Sequence, residues 1–293
     1  MPPSPTASNP PHTPIEIRIR PRAGWLWLDW RGLVEYRDLV FLLIRRDFVS
    51  KYTQTILGPL WAVITPVITA VVFATVFGRV LGVSTDGVHP QLFYLCGLLG
   101  WNYFNMTLSA TSNTLRSNYG LFSKVYFPRL AVPVALTLSN LSTALVQLLT
   151  FSGVFVFLVI THPGEIAAQP TWMVLALPVL FIHLGALALG TGLILSAFTA
   201  KYRDFQHVTP FILNLLMYVT PVIYPISKIP EKWRWVAAIN PVSPLIEGFR
   251  AALLGTQGFH LSYYGLSLLI TVVVFFVGIG LYQRLARDYV DYA

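Results

Sequence analysis

The sequence predicts an all-α membrane protein, and three observations lead to this fold class. Of its 293 residues, 55% are hydrophobic and only 11% are charged, whereas a soluble domain carries about 25% charged residues. Six long stretches contain no Lys, Arg, Asp or Glu. A single cysteine, Cys96, rules out a disulfide scaffold, and the apolar content rules out a disordered chain. A soluble enzyme is therefore excluded as a class.

The uncharged stretches give the positions of six transmembrane helices. A helix needs roughly 20 mostly apolar residues to cross a hydrocarbon core of about 30 Å. The stretches run over residues 52–78, 87–115, 130–164, 166–200, 205–227 and 251–283. Within them we predict helices near 57–79, 91–111, 131–160, 172–199, 206–225 and 262–283.

The segment before the first span predicts a disordered tail and then a helix at the membrane surface. Residues 1–29 begin with Pro, Ser, Thr and Asn, show no signal peptide, and become rich in Trp. Residues 35–52 predict an amphipathic interface helix, with Val40, Phe41, Ile44, Phe48 and Tyr52 on one face. Its cations are Arg37, Arg45, Arg46 and Lys51. The helix either only anchors the chain or also receives another protein.

The loop 112–130 is unusually aromatic for a solvated turn. Leu121, Phe122, Tyr126 and Phe127 would be costly facing water. A short helix buried against a partner protein explains them, and so does a loop that packs under its own helices. We favour the partner, because the missing energy source described below requires one.

The segment 228–258 is too short and too interrupted to span a membrane. Asn240-Pro241 and Ser243-Pro244 break helices, so the segment predicts short re-entrant external helices between spans 5 and 6. Irregular backbone at membrane depth survives only against protein or a water-filled cavity. The segment is thus either an external gate or an ordinary amphipathic loop.

The distribution of basic residues predicts the orientation of the chain. Six spans put both termini on one side, and fifteen of the 20 Lys and Arg residues fall on that side. The positive-inside rule places that side in the cytoplasm. The net charge of +8 is therefore a topology signal, and it does not indicate nucleic-acid binding.

The chemistry that the sequence lacks points to an external motor. It contains no phosphate-binding loop and no His and Cys cluster with metal-ligand spacing. The centres of the spans carry no Asp, Glu, Lys or Arg, although ion-coupled carriers place ionisable groups there. The protein is therefore a passive scaffold or channel, or a permease whose motor is a separate polypeptide.

Aromatic residues make up 14% of the chain, and they are candidates for lining a pathway. Rings in membrane proteins commonly form interfacial belts. The C–H faces of sugars also stack on such rings, and Tyr and Trp can hydrogen-bond their hydroxyls. Besides Phe211, the candidates are Trp61, Phe73, Phe77, Trp101, Tyr103, Phe104, Tyr218 and Tyr224.

Six segments in order resemble the membrane subunit of ABC-2 type transporters, specifically polysaccharide and O-antigen export permeases, with teichoic acid export permeases as close relatives. The segments are Arg37-Asp38-Leu39 through Tyr52, Leu57-Gly58-Pro59-Leu60-Trp61, Lys124-Val125-Tyr126-Phe127-Pro128-Arg129, Lys201-Tyr202-Arg203-Asp204, Thr220-Pro221-Val222-Ile223-Tyr224-Pro225 and Asn240-Pro241-Val242-Ser243-Pro244. The resemblance covers residues 30–293 as one transmembrane domain.

The resemblance implies a channel formed by two copies of the chain, with two copies of a cytoplasmic ATPase docked beneath. It assigns coupling to the ATPase to Arg116, Tyr119, Leu121, Phe122, Lys124, Tyr126 and Phe127. It assigns the external gate to Trp233, Trp235, Asn240 and Pro241. ATP and Mg²⁺ would bind to the partner and no cofactor to this chain. The cargo would be a polysaccharide on a polyprenyl diphosphate lipid, in a bacterial inner membrane.

Two other functions compete with glycan export. The same architecture serves exporters of small drugs or lipids, and length and topology do not separate the two. A multispan membrane enzyme or scaffold without transport is the alternative from another class. Arg45, Arg46 or Lys51 near the cytoplasmic mouth are candidates for contacting a diphosphate or anionic headgroups.

Overall fold

The computed structural model describes residues 30–53, 55–122, 127–162 and 168–292. Every regular element within these ranges is helical, so the all-α prediction is confirmed for this part of the chain. The predicted disordered tail, residues 1–29, lies outside the described residues.

Twelve α-helices follow one another along these ranges. They are α1 (Trp30–Glu35), α2 (Arg37–Tyr52), α3 (Trp61–Phe73), α4 (Pro90–Ser112), α5 (Thr114–Ser117), α6 (Tyr119–Phe122), α7 (Ala131–Thr161), α8 (Leu177–Lys201), α9 (Phe205–Val219), α10 (Arg234–Ile239), α11 (Ser243–Leu254) and α12 (Leu261–Tyr292). Short 3₁₀ turns, Gly58–Leu60 and Trp172–Ala176, lead into α3 and α8, and a π-helical turn, Ala74–Val80, continues α3. Two further 3₁₀ turns, Ile226–Lys228 and Glu231–Trp233, precede α10.

Four of these helical segments are long and apolar enough to cross a membrane. They are Gly58–Val80, Ala131–Thr161, Trp172–Lys201 and Leu261–Ala286. At about 1.5 Å of rise per residue, each exceeds the roughly 30 Å of a hydrocarbon core. They coincide with the first, third, fourth and sixth predicted spans.

The second and fifth predicted spans are helices of a different kind. Helix α4 has 23 residues, most of them buried, and it carries polar side chains such as Asn102 and Asn105. Helix α9 has only 15 residues, about 22 Å of rise. It ends at Val219, six residues before the predicted end at 225, because Pro221 disfavours helical geometry at Thr220.

The 228–258 segment contains two short helices, α10 and α11, as its two X-Pro pairs predict. The backbone turns between them at Asn240, whose side-chain oxygen accepts the N–H of Val242 at 3.1 Å. Pro244 stands in the first turn of α11, where its missing N–H costs no helical hydrogen bond. The helix stops at Gly255, which adopts a left-handed conformation with φ of 74°.

Helix α8 is the centre of the bundle and packs against α4 on one side and α12 on the other. Helix α4 in turn contacts α7, α3 and α11. Leu92, Leu184 and Leu193 in this core are fully buried. The interior consists of two hydrophobic clusters, of which one contains Leu92 and Leu184 and the other Leu193, and α3 and α9 lie at its edge.

Glycines set the distance between α8 and α12. A Cβ atom on Gly190 would lie 2.7 Å from the Cα atom of Phe275, and one on Gly278 would overlap the carbonyl of Gly190. Lipid tails are as apolar as leucine, so helices in a membrane associate through close packing rather than through the hydrophobic effect. The two glycines allow that packing at this crossing.

Filling the crossing should destabilise the protein. We expect Gly190→Val to lower stability by about 1–3 kcal/mol, the usual cost of overpacking, because the added carbons meet the backbone of α12. Gly153→Val is the matched control, since nothing lies within 4 Å of a Cβ at Gly153. Thermal unfolding in detergent measures both, and equal midpoints for the two variants would contradict the assigned role of Gly190.

Candidate functional site

The interface helix α2 packs on the bundle through a face that agrees only in part with the predicted one. Leu43 is buried, and Leu39, Val40 and Ile44 pack beside it. Phe41, predicted to share the apolar face, is 70% exposed. Leu39 and Leu43 lie outside the predicted apolar face, and they pack on the bundle because this helix has apolar residues on two faces. One face meets the protein and the other is open.

A polar cluster joins the end of α2 to α7. The Nζ atom of Lys51 lies 2.8 Å from Oδ2 of Asp47 and donates to Oδ1 of Asn140 at 2.7 Å. The hydroxyl of Ser139 donates to the same Asp47 oxygen. Lys51 is therefore already paired, and it is a poor candidate for contacting a diphosphate. The other cations predicted on this helix, Arg37, Arg45 and Arg46, are exposed.

The aromatic loop after α4 packs partly into its own chain. Phe122 and Phe127 are 8% and 5% exposed, with ring centroids 5.7 Å apart. They share a cluster with Leu43 of α2 and with Ile279 and Tyr282 of α12. A partner is thus not needed to cover these two rings. The argument from their exposure is corrected, because α2 and α12 of the same chain cover them.

The tip of the same loop remains open. Ser117 and Gly120 are exposed, while Arg116 and Leu121 are half-buried. Lys124 and Tyr126 lie outside the described residues, and so does the side chain of Tyr119. The surface at residues 117–120, here called the coupling tip, is the part of the predicted coupling region that a partner can contact.

Three of the predicted channel rings are buried in the interior of the chain. Trp101, Tyr103 and Phe104 are only 2–3% exposed. Tyr103 packs edge-on against Phe181 with ring centroids 5.8 Å apart, and a Cβ on Gly185 would overlap its hydroxyl. These rings face no passage along the surface of the chain, because α4 is enclosed by four other helices. The three rings therefore lie inside this chain, and their lining role stays a prediction.

The remaining channel candidates lie nearer the surface. Trp61 and Tyr218 are 50% and 62% exposed. Phe73 and Phe77 are half-buried beside α4. The hydroxyl of Tyr224 donates to the carbonyls of Tyr218 and Val219, at 3.0 and 3.1 Å, and so closes the end of α9.

The four residues predicted for the external gate divide into two pairs. Trp233 and Trp235 are 55% and 57% exposed. Asn240 is buried, and its amide donates to the Thr220 hydroxyl at 2.9 Å. The carbonyl of Pro241 accepts from Ser267 of α12 at 2.6 Å. The turn between α10 and α11 is thus hydrogen-bonded to the end of α9 and to α12. The two tryptophans make neither of these hydrogen bonds.

Sequence reasoning missed a buried ion pair in α11. Arg250 is fully buried, and its Nη1 atom donates to Oε1 of Glu247 at 2.8 Å. Arg250 belongs to the segment 228–258, which the sequence predicts to be external. The signal was present, because Glu247 and Arg250 are the only charged residues between Trp235 and Gln283 and stand three apart, the spacing of neighbours on one helix face.

The guanidinium of Arg250 connects three parts of the structure. It donates to the carbonyls of Pro221 at 2.6 Å and Val222 at 2.7 Å, just beyond α9. Its Cζ atom lies 3.8 Å from the centre of the Phe93 ring of α4. A Cβ on Gly97 would come within 2.9 Å of Nη2. The pair therefore fixes α11 against the end of α9 and against α4.

Removing one member of the pair should be costly, because the other charge is left buried without compensation. We expect Arg250→Ala to lose about 3–5 kcal/mol of stability. The control is Arg234→Ala. The Arg234 side chain is 42% exposed, and its Nη1 atom lies 3.7 Å from Oε1 of the exposed Glu231. Loss of this surface pair should change stability by less than about 1 kcal/mol. Detergent unfolding curves compare the two, and equal losses would contradict the role given to Arg250.

No metal site is formed by the described residues, since no group of three His, Cys, Asp or Glu side chains comes together there. His183, the one histidine deep in a predicted span, lies 2.9 Å from the Thr271 hydroxyl and near Ser267. It links α8 to α12 through these contacts.

Comparison with known proteins gives one consistent result. The O-antigen export system permease protein RfbA of Myxococcus xanthus is 27% identical over 75% of this chain and 82% of that protein. The protein of the same name from Klebsiella pneumoniae is 25% identical over 94% of this chain and 99% of its own length. The polysialic acid transport protein KpsM of Escherichia coli is 23% identical over 86% of this chain and 95% of its own. The ABC-2 type transporter family model matches residues 38–254, well over half of the sequence, and the chain therefore belongs to the ABC-2 type transporter family.

Proposed function

We propose that the chain is the channel-forming membrane subunit of an ATP-driven exporter that moves a polysaccharide out of the cytoplasm. The observation that carries this proposal is the end-to-end likeness to an O-antigen export permease, over 94% of this chain and 99% of the relative. A second group of relatives is named for polysialic acid transport. Both names describe long glycans, so the cargo class is a polysaccharide rather than a small drug.

The source of energy is the ATPase partner, present in two copies that bind ATP and Mg²⁺. The charged residues of the four apolar spans stand only at their ends, as Arg79, Lys201 and Arg284 do. An ion-coupled carrier needs an ionisable group at depth. The buried charges of Arg250 and Glu247 are paired with each other, so they supply no coupling site.

The proposed topology is six passes with both termini in the cytoplasm and α10–α11 as a re-entrant external hairpin. Helix α4, mostly enclosed by protein, is the second pass, because a helix shielded from lipid can carry polar residues. Helix α9 is the fifth and shortest. Burial removes Arg250 from the count of external loop charges, so the excess of cytoplasmic Lys and Arg becomes larger than the sequence alone indicates.

The passage for the glycan lies between two copies of the chain. Among the described residues the central helices of one chain pack closely, since a methyl group at Gly190 or Gly185 would overlap a neighbouring helix. The outward face of α9 carries Phe211 and Tyr218, each more than 60% exposed. With Trp61, Phe73, Phe77 and Tyr224, these are the rings left to contact sugars by stacking.

The carrier end of the cargo is a polyprenyl diphosphate, and the membrane is the bacterial inner membrane. A diphosphate needs cations at the cytoplasmic mouth, where planar guanidinium groups bind phosphate oxygens in pairs. Arg45 and Arg46 are exposed on α2 and serve that role. Lys51 is held by Asp47 and Asn140, so it positions the helix instead.

The coupling tip provides a direct test of the ATPase partner. Nothing lies within 4 Å of a Cβ at Gly120, so Gly120→Trp fits this chain but obstructs a protein docked on the tip. We expect at least a fivefold loss of co-purified ATPase, with surface polysaccharide falling in cells that carry only the variant. The control, Gly153→Trp, adds the same side chain at another open position and should leave both unchanged.

The outcomes separate the parts of the proposal. Normal surface polysaccharide and normal ATPase recovery with Gly120→Trp would reject the coupling tip. A cell that lacks this chain altogether and still displays its polysaccharide would reject the export function itself.

Cysteine labelling tests the proposed orientation. Cys96 is buried, so the background reaction is low. We expect an impermeant thiol reagent to label Lys232→Cys in intact cells, and to label Ser117→Cys and Arg203→Cys only after the membrane is opened. All three positions are exposed, and labelling of Ser117→Cys in intact cells would reverse the assigned sides.

A further inference from the structure

A small cavity lies where the end of α3, the start of α4 and the end of α7 meet. Its volume is about 260 Å³. Its polar lining consists of Thr75, Arg79, His89, Gln91 and His162. None of these residues belongs to the coupling tip, the candidate channel rings or the external gate.

The cavity holds a permanent positive charge, which favours an anion. Arg79 is always protonated, and His162 lines the same cavity. His162 is held through Nδ1, which lies 2.9 Å from the Thr161 hydroxyl. Arg79 comes from the π-helical turn Ala74–Val80, a deviation from α-helix that is frequent at functional sites.

The start of α4 adds backbone donors to the same place. His89 is its N-cap residue without a side-chain capping bond, and Pro90 has no N–H. The following amides of the first turn have no acceptor within the helix. The positive end of a 23-residue helix therefore lies at a cavity that already holds a guanidinium, an arrangement that binds phosphate groups.

The other wall of the cavity is apolar and reaches the outer surface of the bundle. Val71, Ala74 and Leu158 form it. Val71 is itself 42% exposed, and its neighbour Val72 is 48% exposed on the outside of α3. The cavity thus joins a cationic end to a surface that faces lipid tails if α3 spans the membrane. A ligand that suits both walls carries a phosphate on an apolar chain.

We propose that this cavity binds the phosphate group of a membrane lipid, with Arg79, His162 and the first turn of α4 around the phosphate and Val71 and Leu158 against the first acyl carbons. A cavity of about 260 Å³ is smaller than the roughly 300–1,000 Å³ of small-molecule pockets. It admits a headgroup and not a glycan repeat. The leaflet follows from the proposed topology and is the outer one, whereas the binding itself does not depend on that topology.

Lipid-dependent thermal stabilisation tests the site in the intact, delipidated chain in detergent. The probes are micelles doped with phosphatidylglycerol, micelles doped with diacylglycerol of the same acyl chains, and inorganic phosphate. We expect phosphatidylglycerol to raise the unfolding midpoint and the other two to have little effect. Arg79→Gln should weaken the apparent affinity for phosphatidylglycerol about tenfold, since it removes a charge-assisted hydrogen bond. His162→Gln, on another helix, should weaken it as well.

The matched control is Arg234→Gln, an arginine outside this cavity that should retain the full response. Equal stabilisation by diacylglycerol would overturn the role of the phosphate. Stabilisation by inorganic phosphate alone would overturn the lipid as its source. An unchanged affinity in His162→Gln, or in Arg79→Gln when that variant folds, would overturn the site.

Discussion

The arrangement of α9, α10 and α11 depends on one buried charge. Arg250 is fully enclosed, and Nη1 and Nη2 of its guanidinium donate to Glu247 and to the carbonyls of Pro221 and Val222. A charge in such surroundings persists only when it is paired and hydrogen-bonded. Since its partners come from α11 and from the segment after α9, the charge holds these parts in one geometry. The α10–α11 hairpin, α9 and α4 are therefore held together as one unit.

The sequence predicted the helices well because uncharged length is a direct physical requirement of a lipid-crossing segment. It predicted their neighbours poorly. Pro221 sets the end of α9, but the prediction followed the uncharged run to residue 225. Phe122, Phe127 and Trp101 were assigned by their residue type, and their surroundings depend on which helices lie beside them. The sequence spacing indicates that Arg250 can pair with Glu247 at i, i+3. It does not indicate that the pair is buried.

The interior of the described part of the chain is tightly packed around α8. The glycines of α8 bring that helix against α4 and α12 at distances that exclude even a methyl group. A tightly packed interior is hard to deform and tends to move as a block. The edge helices α3 and α9 have few buried residues, so this packing holds them less firmly than the central helices.

The ring pair Phe122–Phe127 has a mechanical consequence. Both rings lie in one cluster with Leu43 of α2 and Tyr282 of α12, while Ser117, a few residues earlier, is exposed. A force applied at Ser117 is transmitted through the two buried rings. The force passes to α2 and to the C-terminal half of α12. The ring pair and these two helical segments therefore move together.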